Sequence, residues 1–245
     1  MSRKTKFALI YLTALSLTPS YAEAMHISEG ILPAGWAAFW FITAAPFVWL
    51  GLRELKTRTD ESPQFKPFLG LVGAAIFIIS CMPIPVPVAG ATSHPAGVGL
   101  AAILIGPWLT ALVSSVALAL QALFLAHGGL TTLGANTMSM GVMGALTGYI
   151  TFKAGKKIGM STYMAAFAAG LLSDWVTYAG TSLFMALALH ADGSFWKMFL
   201  SIMVAFAPTQ VPLGLLEGFM TAGAYEFIRS RRPELIYKTL GGKLA

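Results

Sequence analysis

Charged residues are scarce in this 245-residue chain. Only 11% of its residues are Asp, Glu, Lys or Arg, whereas 56% are apolar, and a soluble globular domain carries about a quarter charged residues. The mean hydropathy is +0.72, and several apolar stretches reach the roughly 20 residues that a helix needs to cross a bilayer. The composition excludes an ordinary soluble domain and predicts an all-α integral membrane protein with no linker that would divide it.

Motifs of self-contained catalysis or transport are also missing. The single cysteine, Cys81, excludes an internal disulfide. The sequence has no G-x-x-x-x-G-K-[ST] loop, so any use of ATP requires a partner. It has no H-E-x-x-H pair, the pattern expected of an intramembrane metalloenzyme. It shows no clear internal repeat, which disfavours a self-sufficient secondary transporter.

The formal net charge of +6 does not indicate nucleic-acid binding. The basic residues lie in short clusters at the ends of apolar segments, for example Arg53, Lys56 and Arg58. This distribution is typical of cytoplasmic loops under the positive-inside rule. We therefore expect a lipid bilayer, and no nucleic acid, around this protein.

The first residues have the layout of a secretory leader. Three basic residues open the chain, an apolar run from Phe7 to Leu17 follows, and Ala22-Glu23-Ala24 gives an A-x-A pattern. We expect residues 1–24 to be a cleavable signal peptide and residues 25–245 to be one transmembrane domain; an uncleaved anchor is the alternative. Cleavage after Ala24 would leave Met25 as a free N-terminus on the outer side of the membrane.

The charge pattern decides how the apolar segments cross the bilayer. If the stretch from Gly97 to Ala126 were one helix, later basic clusters would lie outside. A short helix to Ile105, a turn at Gly106-Pro107 and a second helix from Trp108 keep those clusters inside, as the positive-inside rule favours. The sequence thus predicts a bundle of about seven transmembrane helices with an outer N-terminus and a cytoplasmic C-terminus. The other spans are expected near residues 33–52, 67–82, 137–152, 160–189 and 195–228, and three prolines at 83, 85 and 87 predict an extended or re-entrant outer segment.

Met25-His26 at a processed terminus predicts a metal site. A free α-amine, the following amide nitrogen and the imidazole of the second residue close two fused chelate rings around one ion. Square-planar nitrogen donation is diagnostic of Cu(II) or Ni(II), and imidazole suits late first-row metals generally, whereas Ca²⁺ and Mg²⁺ want oxygen ligands. His94, in the outer loop, is the best candidate for a fourth nitrogen. Glu29 is a nearby carboxylate that can hydrogen-bond to a metal ligand and orient it.

Two other histidines, His127 and His190, also lie near the outer ends of predicted helices. Four polar residues lie in or beside predicted spans, where such groups are costly and often functional. Asn136 can orient a metal-bound histidine or the N-terminal segment, or cap a helix. Gln210 lies between two prolines, where we expect a broken helix and backbone groups for it to satisfy. The roles of Asp174 and Glu217 stay open, and neither is expected to bind metal.

The chain resembles the CbiM and NikM family, the substrate-capture (S) components of energy-coupling factor transporters for cobalt and nickel. The resemblance covers essentially all of the mature chain and is carried by five segments: Met25 to Leu32, Thr92-Ser93-His94-Pro95, Gly106 to Trp108, Gly128 to Asn136, and Gln210-Val211-Pro212 with Glu217-Gly218.

The resemblance implies a seven-helix bundle and a metal bound by the Met25 amine, the His26 amide and imidazole, and the His94 imidazole. It implies a transmembrane coupling (T) subunit, two ATPase subunits and a small accessory membrane protein as partners in the cell inner membrane. The segment after Met25-His26 is more similar to the cobalt branch, so we expect Co²⁺ uptake for cobalamin biosynthesis, with Ni²⁺ as the alternative. Many relatives begin at the Met-His pair, so transfer of the amine ligand depends on cleavage after Ala24.

Overall fold

The computed structural model of the chain describes residues 26–82, 84–86 and 91–239. The signal peptide predicted for residues 1–24, and Met25 with its proposed amine ligand, lie outside this part. Within it, helices account for nearly all of the regular structure, so the prediction of an all-α protein is confirmed.

The helices and strands follow one another with short connections. The helices are α1 Ala34–Glu61, α2 Phe65–Ser80, α3 Val98–Ile105, α4 Pro107–Phe124, α5 Leu133–Asn136, α6 Ala145–Lys157, α7 Thr162–Leu189, α8 Phe195–Arg231 and α9 Pro233–Thr239. A π-helical segment, Thr137–Gly144, joins α5 to α6. Strands β1, Ile84–Val86, and β2, Ala91–Ser93, form an antiparallel pair in which Ile84 lies opposite Ser93.

Three of the described helices, α1, α4 and α8, are long and apolar enough to cross a membrane, and α2 is a shorter apolar helix. Helix α7 has 28 residues, like α1, but it carries polar side chains that face the interior of the bundle, including Ser173, Asp174 and Thr177. The apolar outer faces of the other helices and the polar face of α7 are what a bundle in lipid requires, because polar groups there must find partners inside the protein. The count of seven crossings stays a prediction.

The predicted break at Gly106-Pro107 is confirmed. Helix α3 ends at Ile105, Gly106 has a φ of +91°, and Pro107 begins α4. Pro is suited to the first helical position because its missing N–H has no helical partner there, and Gly adopts positive φ without a steric penalty. The 8 residues of α3 span only about 12 Å, well short of a bilayer core of about 30 Å.

The short length of α3 leaves room inside the bundle for a non-helical segment. The residues that precede it, from Ser93 to Gly97, are all buried. The chain therefore lies inside the protein in a non-helical form before it becomes helical at Val98. This segment, residues 93–97, is called the His94 loop below, and its depth is what makes His94 a buried residue.

Glycines allow the helices around this loop to approach one another closely. A Cβ atom added to Gly99 of α3 would lie 2.9 Å from the Cα atom of Gly170 in α7. A Cβ added to Gly170 would lie 2.5 Å from Oγ1 of Thr221 and 2.7 Å from the carbonyl oxygen of Glu217 in α8. Small residues at such contacts are the usual way to pack helices in lipid.

We expect Gly170→Ala to destabilise the bundle, because the new methyl group would force α7 away from α8. Overpacking of this kind costs about 1–3 kcal/mol, which exceeds the helix propensity that alanine adds, about 1 kcal/mol. The measurement is the thermal unfolding midpoint in detergent. Gly223→Ala is the matched control, since no atom lies within 4 Å of a Cβ added at Gly223. Equal midpoints for the two variants would contradict the close α7–α8 contact.

Candidate metal centre

Three histidine side chains meet at one end of the bundle. The ring centroids of His26 and His94 are 4.4 Å apart, and that of His127 lies 4.7 Å from His26 and 4.8 Å from His94. One nitrogen from each ring can be chosen so that all three lie within 4.8 Å of one another. His26 and His94 are 0% and 1% exposed, so both rings are shielded from solvent.

One ring nitrogen of His26 and one ring nitrogen of His94 face each other. Nε2 of His94 lies 3.1 Å from Nδ1 of His26. Nδ1 of His94 lies 3.0 Å from the carbonyl oxygen of Pro95, an acceptor that holds the ring proton on Nδ1. Nε2 of His26 lies 3.4 Å from Sδ of Met140, also a weak acceptor. Both outer contacts therefore favour the tautomers whose lone pairs point between the two rings.

The distance between Nδ1 of His26 and Nε2 of His94 suits two ligands of one metal ion. Two nitrogens about 2.0 Å from one ion and at a right angle around it lie about 2.8 Å apart, close to the 3.1 Å between Nδ1 of His26 and Nε2 of His94. Burial and the neighbouring imidazoles lower the pKa of His26 well below its usual value. Burial and His127 lower the pKa of His94 to about 3. Both rings are thus neutral near pH 7, as metal ligands must be.

The His94 loop is anchored from two sides by helix α8. The Nε2 atom of Gln210 donates to Oγ of Ser93, on one side of His94. On the other side, the two carboxylate oxygens of Glu217 accept from the backbone N–H groups of Ala96, at 2.7 Å, and Gly97, at 2.9 Å. Gln210 and Glu217 are seven residues apart, so they lie on one face of α8.

These contacts revise two expectations from the sequence. Helix α8 is continuous through both of its prolines, so the broken helix expected around Gln210 is wrong. The side chain of Gln210 instead donates to Ser93, and the backbone carbonyl oxygen of Gln210 accepts from Nε1 of Trp175. Glu217, whose role was open, holds the backbone of the His94 loop.

The N-terminal segment is anchored by α5 through the backbone of Ile27. The side-chain oxygen of Asn136 accepts from the Ile27 N–H at 2.8 Å, and its Nδ2 donates to the Ile27 carbonyl at 3.0 Å. Oγ1 of Thr132 donates to the same carbonyl at 2.5 Å. Since both backbone groups of Ile27 are held, the preceding residue, His26, has a fixed position. Asn136 thus lies against the N-terminal segment, whose orientation was one of the roles considered for it.

The π-helical segment brings another side chain into the centre. It begins directly after Asn136 and contains Met140, which is 0% exposed and contacts His26. A π turn widens the helix and is frequent at functional sites. Asn136 at the end of α5 and Met140 in the π-helical segment thus contact the same part of the N-terminal segment.

Glu29 lies at the exposed rim of the centre. Its Oε2 atom accepts from the backbone N–H of Thr131 at 3.1 Å, and hydrogen bonding to Thr131 lowers the pKa of the Glu29 carboxyl group. Oγ1 of Thr131 also accepts from the N–H of Gly30 at 3.3 Å. Glu29 therefore connects the N-terminal segment to the 128–136 segment, and its support of a metal ligand stays a prediction.

The structure thus brings together His26, His94 and Asn136 from the set considered on sequence grounds. His190 lies apart from them, with Nδ1 2.9 Å from the carbonyl oxygen of Ala186. His127 belongs to the cluster, although sequence reasoning did not distinguish it from His190. The available signal was its position directly before the segment from Gly128 to Asn136.

The chain is similar to known proteins over most of its length. The family model described as cobalt uptake substrate-specific transmembrane region matches residues 26–235. A cobalt transport protein CbiM from Sorangium cellulosum (strain So ce56) is 58% identical over 212 residues, which cover 86% of this chain and 94% of the relative. One from Geobacter sulfurreducens is 53% identical over 217 residues, covering 89% of this chain and 63% of the relative.

The fold is also found among solved structures. A crystal structure described as that of a transition metal transporter superposes with a TM-score of 0.74 at 22% sequence identity, covering 88% of this chain and 97% of that one. The residues that the family model matches span the N-terminal segment from His26, the His94 loop and the helices that hold them. The chain therefore belongs to the CbiM family.

Proposed function

We propose that this protein is the substrate-specific membrane component of a cobalt uptake system and that it captures Co²⁺ between His26 and His94. The observation that carries the proposal is the 3.1 Å approach of Nδ1 of His26 to Nε2 of His94 in a buried site. Membership of the family and relatives named cobalt transport proteins support cobalt as the substrate. The same donors also suit Ni²⁺, which is the alternative substrate.

The proposed ligands are four nitrogens in a square. Three come from the N-terminal segment: the amine of Met25, the amide of His26 and its Nδ1 atom. The fourth is Nε2 of His94. The first three are linked by two fused chelate rings, so their geometry is fixed by covalent bonds. The approach of His94 to Nδ1 of His26 matches the remaining corner.

The protein acts in transport, not catalysis, as the names of its relatives indicate. The sequence has no phosphate-binding loop of its own, so we place ATP hydrolysis on separate ATPase subunits, joined through a transmembrane coupling subunit. A small accessory membrane subunit completes the proposed complex.

The distribution of charge supports an outer metal site in the cell inner membrane. Arg58 lies in the last turn of α1, Lys156 and Lys157 in that of α6, and Arg231 in that of α8. The opposite ends of two of these runs lie at the proposed metal site. The N-terminal segment with His26 precedes α1, and α5 with Asn136 precedes α6. By the positive-inside rule the basic ends face the cytoplasm, and we therefore propose an outer metal site and a cytoplasmic C-terminus.

His94→Ala is expected to lower Co²⁺ affinity by at least about tenfold, because removal of a ligand opens one corner of the square. Retained metal is measured on the purified protein, and cobalt uptake is measured in cells that carry the full complex. His190→Ala is the matched control, a histidine outside the cluster, and should behave as the unaltered protein does. Full Co²⁺ retention by His94→Ala at a normal unfolding midpoint would refute the proposed site.

The purified, active protein is expected to begin at Met25, because the amine ligand exists only after cleavage. The intact mass of the metal-loaded protein distinguishes a chain that begins at Met25 from one that begins at Met1. A metal-loaded, transporting protein that still began at Met1 would exclude the amine from the ligand set.

Asn136→Ala is expected to weaken Co²⁺ binding about 10- to 100-fold, the usual range for residues that orient a ligand. The variant leaves the backbone groups of Ile27 short of partners and frees the position of His26. Ser173→Ala is the control, since Ser173 is equally buried and donates to the carbonyl of Gly144 at 2.9 Å away from the centre. Both variants should lose stability, but only Asn136→Ala should lose affinity where both remain folded; equal affinities would contradict the role given to Asn136.

A further inference from the structure

The imidazole of His127 stands beside the proposed square of nitrogens without being part of it. Its ring centroid is nearly equidistant from those of His26 and His94, at 4.7 Å and 4.8 Å. Its ring plane is turned by 68° from that of His26 and by 80° from that of His94. The planes of His26 and His94 differ from each other by only 35°.

These angles are the ones expected for a position above the square. The imidazole of His26 lies close to the plane of the metal and its ligands, because it closes a fused chelate ring. A ligand above the square has its metal–nitrogen bond along the normal to the plane of the square. Because that bond lies in the plane of the imidazole, the imidazole is perpendicular to the square. His127 is upright with respect to both other rings, as an apical ligand would be.

The backbone holds His127 in this place. Ala126, directly before it, has a φ of +51°, and Gly128, directly after it, has a φ of +74°, so two left-handed residues turn the chain sharply around it. The N–H of His127 donates to the carbonyl oxygen of Gln121 at 3.3 Å. A Cβ added to Gly128 would lie 3.4 Å from Cβ of His26, so the turn rests directly against the metal-binding residue.

We propose that His127 is an apical fifth ligand and that it favours Co²⁺ over Ni²⁺ in this site. The inference rests on the proposed function and names the residue that sets its metal preference. In a square of strong nitrogen donors, Ni²⁺ has two electrons in the orbital that points along the normal, and Co²⁺ has one. An apical donor meets a filled orbital in Ni²⁺ and a half-filled one in Co²⁺, so it stabilises Co²⁺ more. Square-planar coordination without apical ligands is characteristic of Ni²⁺.

The electron paramagnetic resonance spectrum of the Co²⁺-loaded protein, recorded anaerobically, tests the apical nitrogen. The unpaired electron of low-spin Co²⁺ lies in the orbital along the normal, so one apical nitrogen of natural abundance splits each cobalt line into three. Protein labelled with ¹⁵N-histidine should give two lines in place of three. A spectrum without nitrogen splitting, or one unaltered by the label, would overturn the proposal without any variant being needed.

His127→Ala tests which histidine is responsible and what it does for selectivity. We expect the nitrogen splitting to disappear and the ratio of Co²⁺ to Ni²⁺ affinity to fall by about tenfold or more, the scale on which groups around a metal tune its binding. His127→Gln provides a second variant of similar volume if the alanine protein is poorly folded, and His190→Ala is the control. Splitting that persists in both His127 variants, or an unchanged affinity ratio, would overturn the proposal.

The two proposals fail in different ways. If Co²⁺ binds, requires His94 and is unaffected by His127→Ala, only the apical role is wrong. If His94→Ala leaves Co²⁺ binding intact, the square itself is wrong, and the apical assignment fails with it.

Discussion

The close approach of two buried, neutral imidazoles is the constraint on which the rest of the structure depends. Neither ring lies on a helix: His26 and His94 each belong to a buried, non-helical stretch of the chain. Exposed backbone groups at such depth are costly unless they are paired. Asn136 and Thr132 pair those of Ile27, and Glu217 pairs those of the His94 loop. The buried polar side chains of α5 and α8 are explained by this requirement.

The shortness of α3 follows from the same constraint. A full-length helix would occupy the space that the His94 loop fills, whereas a helix of 8 residues ends at Gly106 near the basic end of α1. Close packing then holds the short helix in place, because Gly99 allows α3 to contact α7 and Gly170 allows α7 to contact α8. The loop is fixed by its hydrogen bonds to α8, and α8 is fixed by its contact with α7.

Local chemistry decided what could be predicted from the sequence. The turn at Gly106-Pro107 was predictable because Gly, Pro and the basic clusters each constrain the backbone or topology within a short stretch. The ligands His26 and His94 were proposed from the Met-His pair and its resemblance to a family. The anchoring by Gln210 and Glu217 was not predictable, because Glu217 lies 121 residues from Ala96 and its partners are backbone groups with no sequence signal. The proposed role of His127 was not predictable either, because it depends on the angles between rings in the folded protein.

The arrangement also determines how a captured ion can leave. Three of the four proposed donors belong to the N-terminal segment, which is anchored to α5 and the π-helical segment, and the fourth belongs to a loop anchored to α8. The first three are joined by covalent rings and cannot separate from one another, so the contact between His26 and His94 is the one that can open. A displacement of α8 relative to α5 would draw Glu217 and Gln210, and with them the His94 loop, away from the N-terminal segment. Helix α8 is therefore the element whose displacement would separate the two parts of the proposed site.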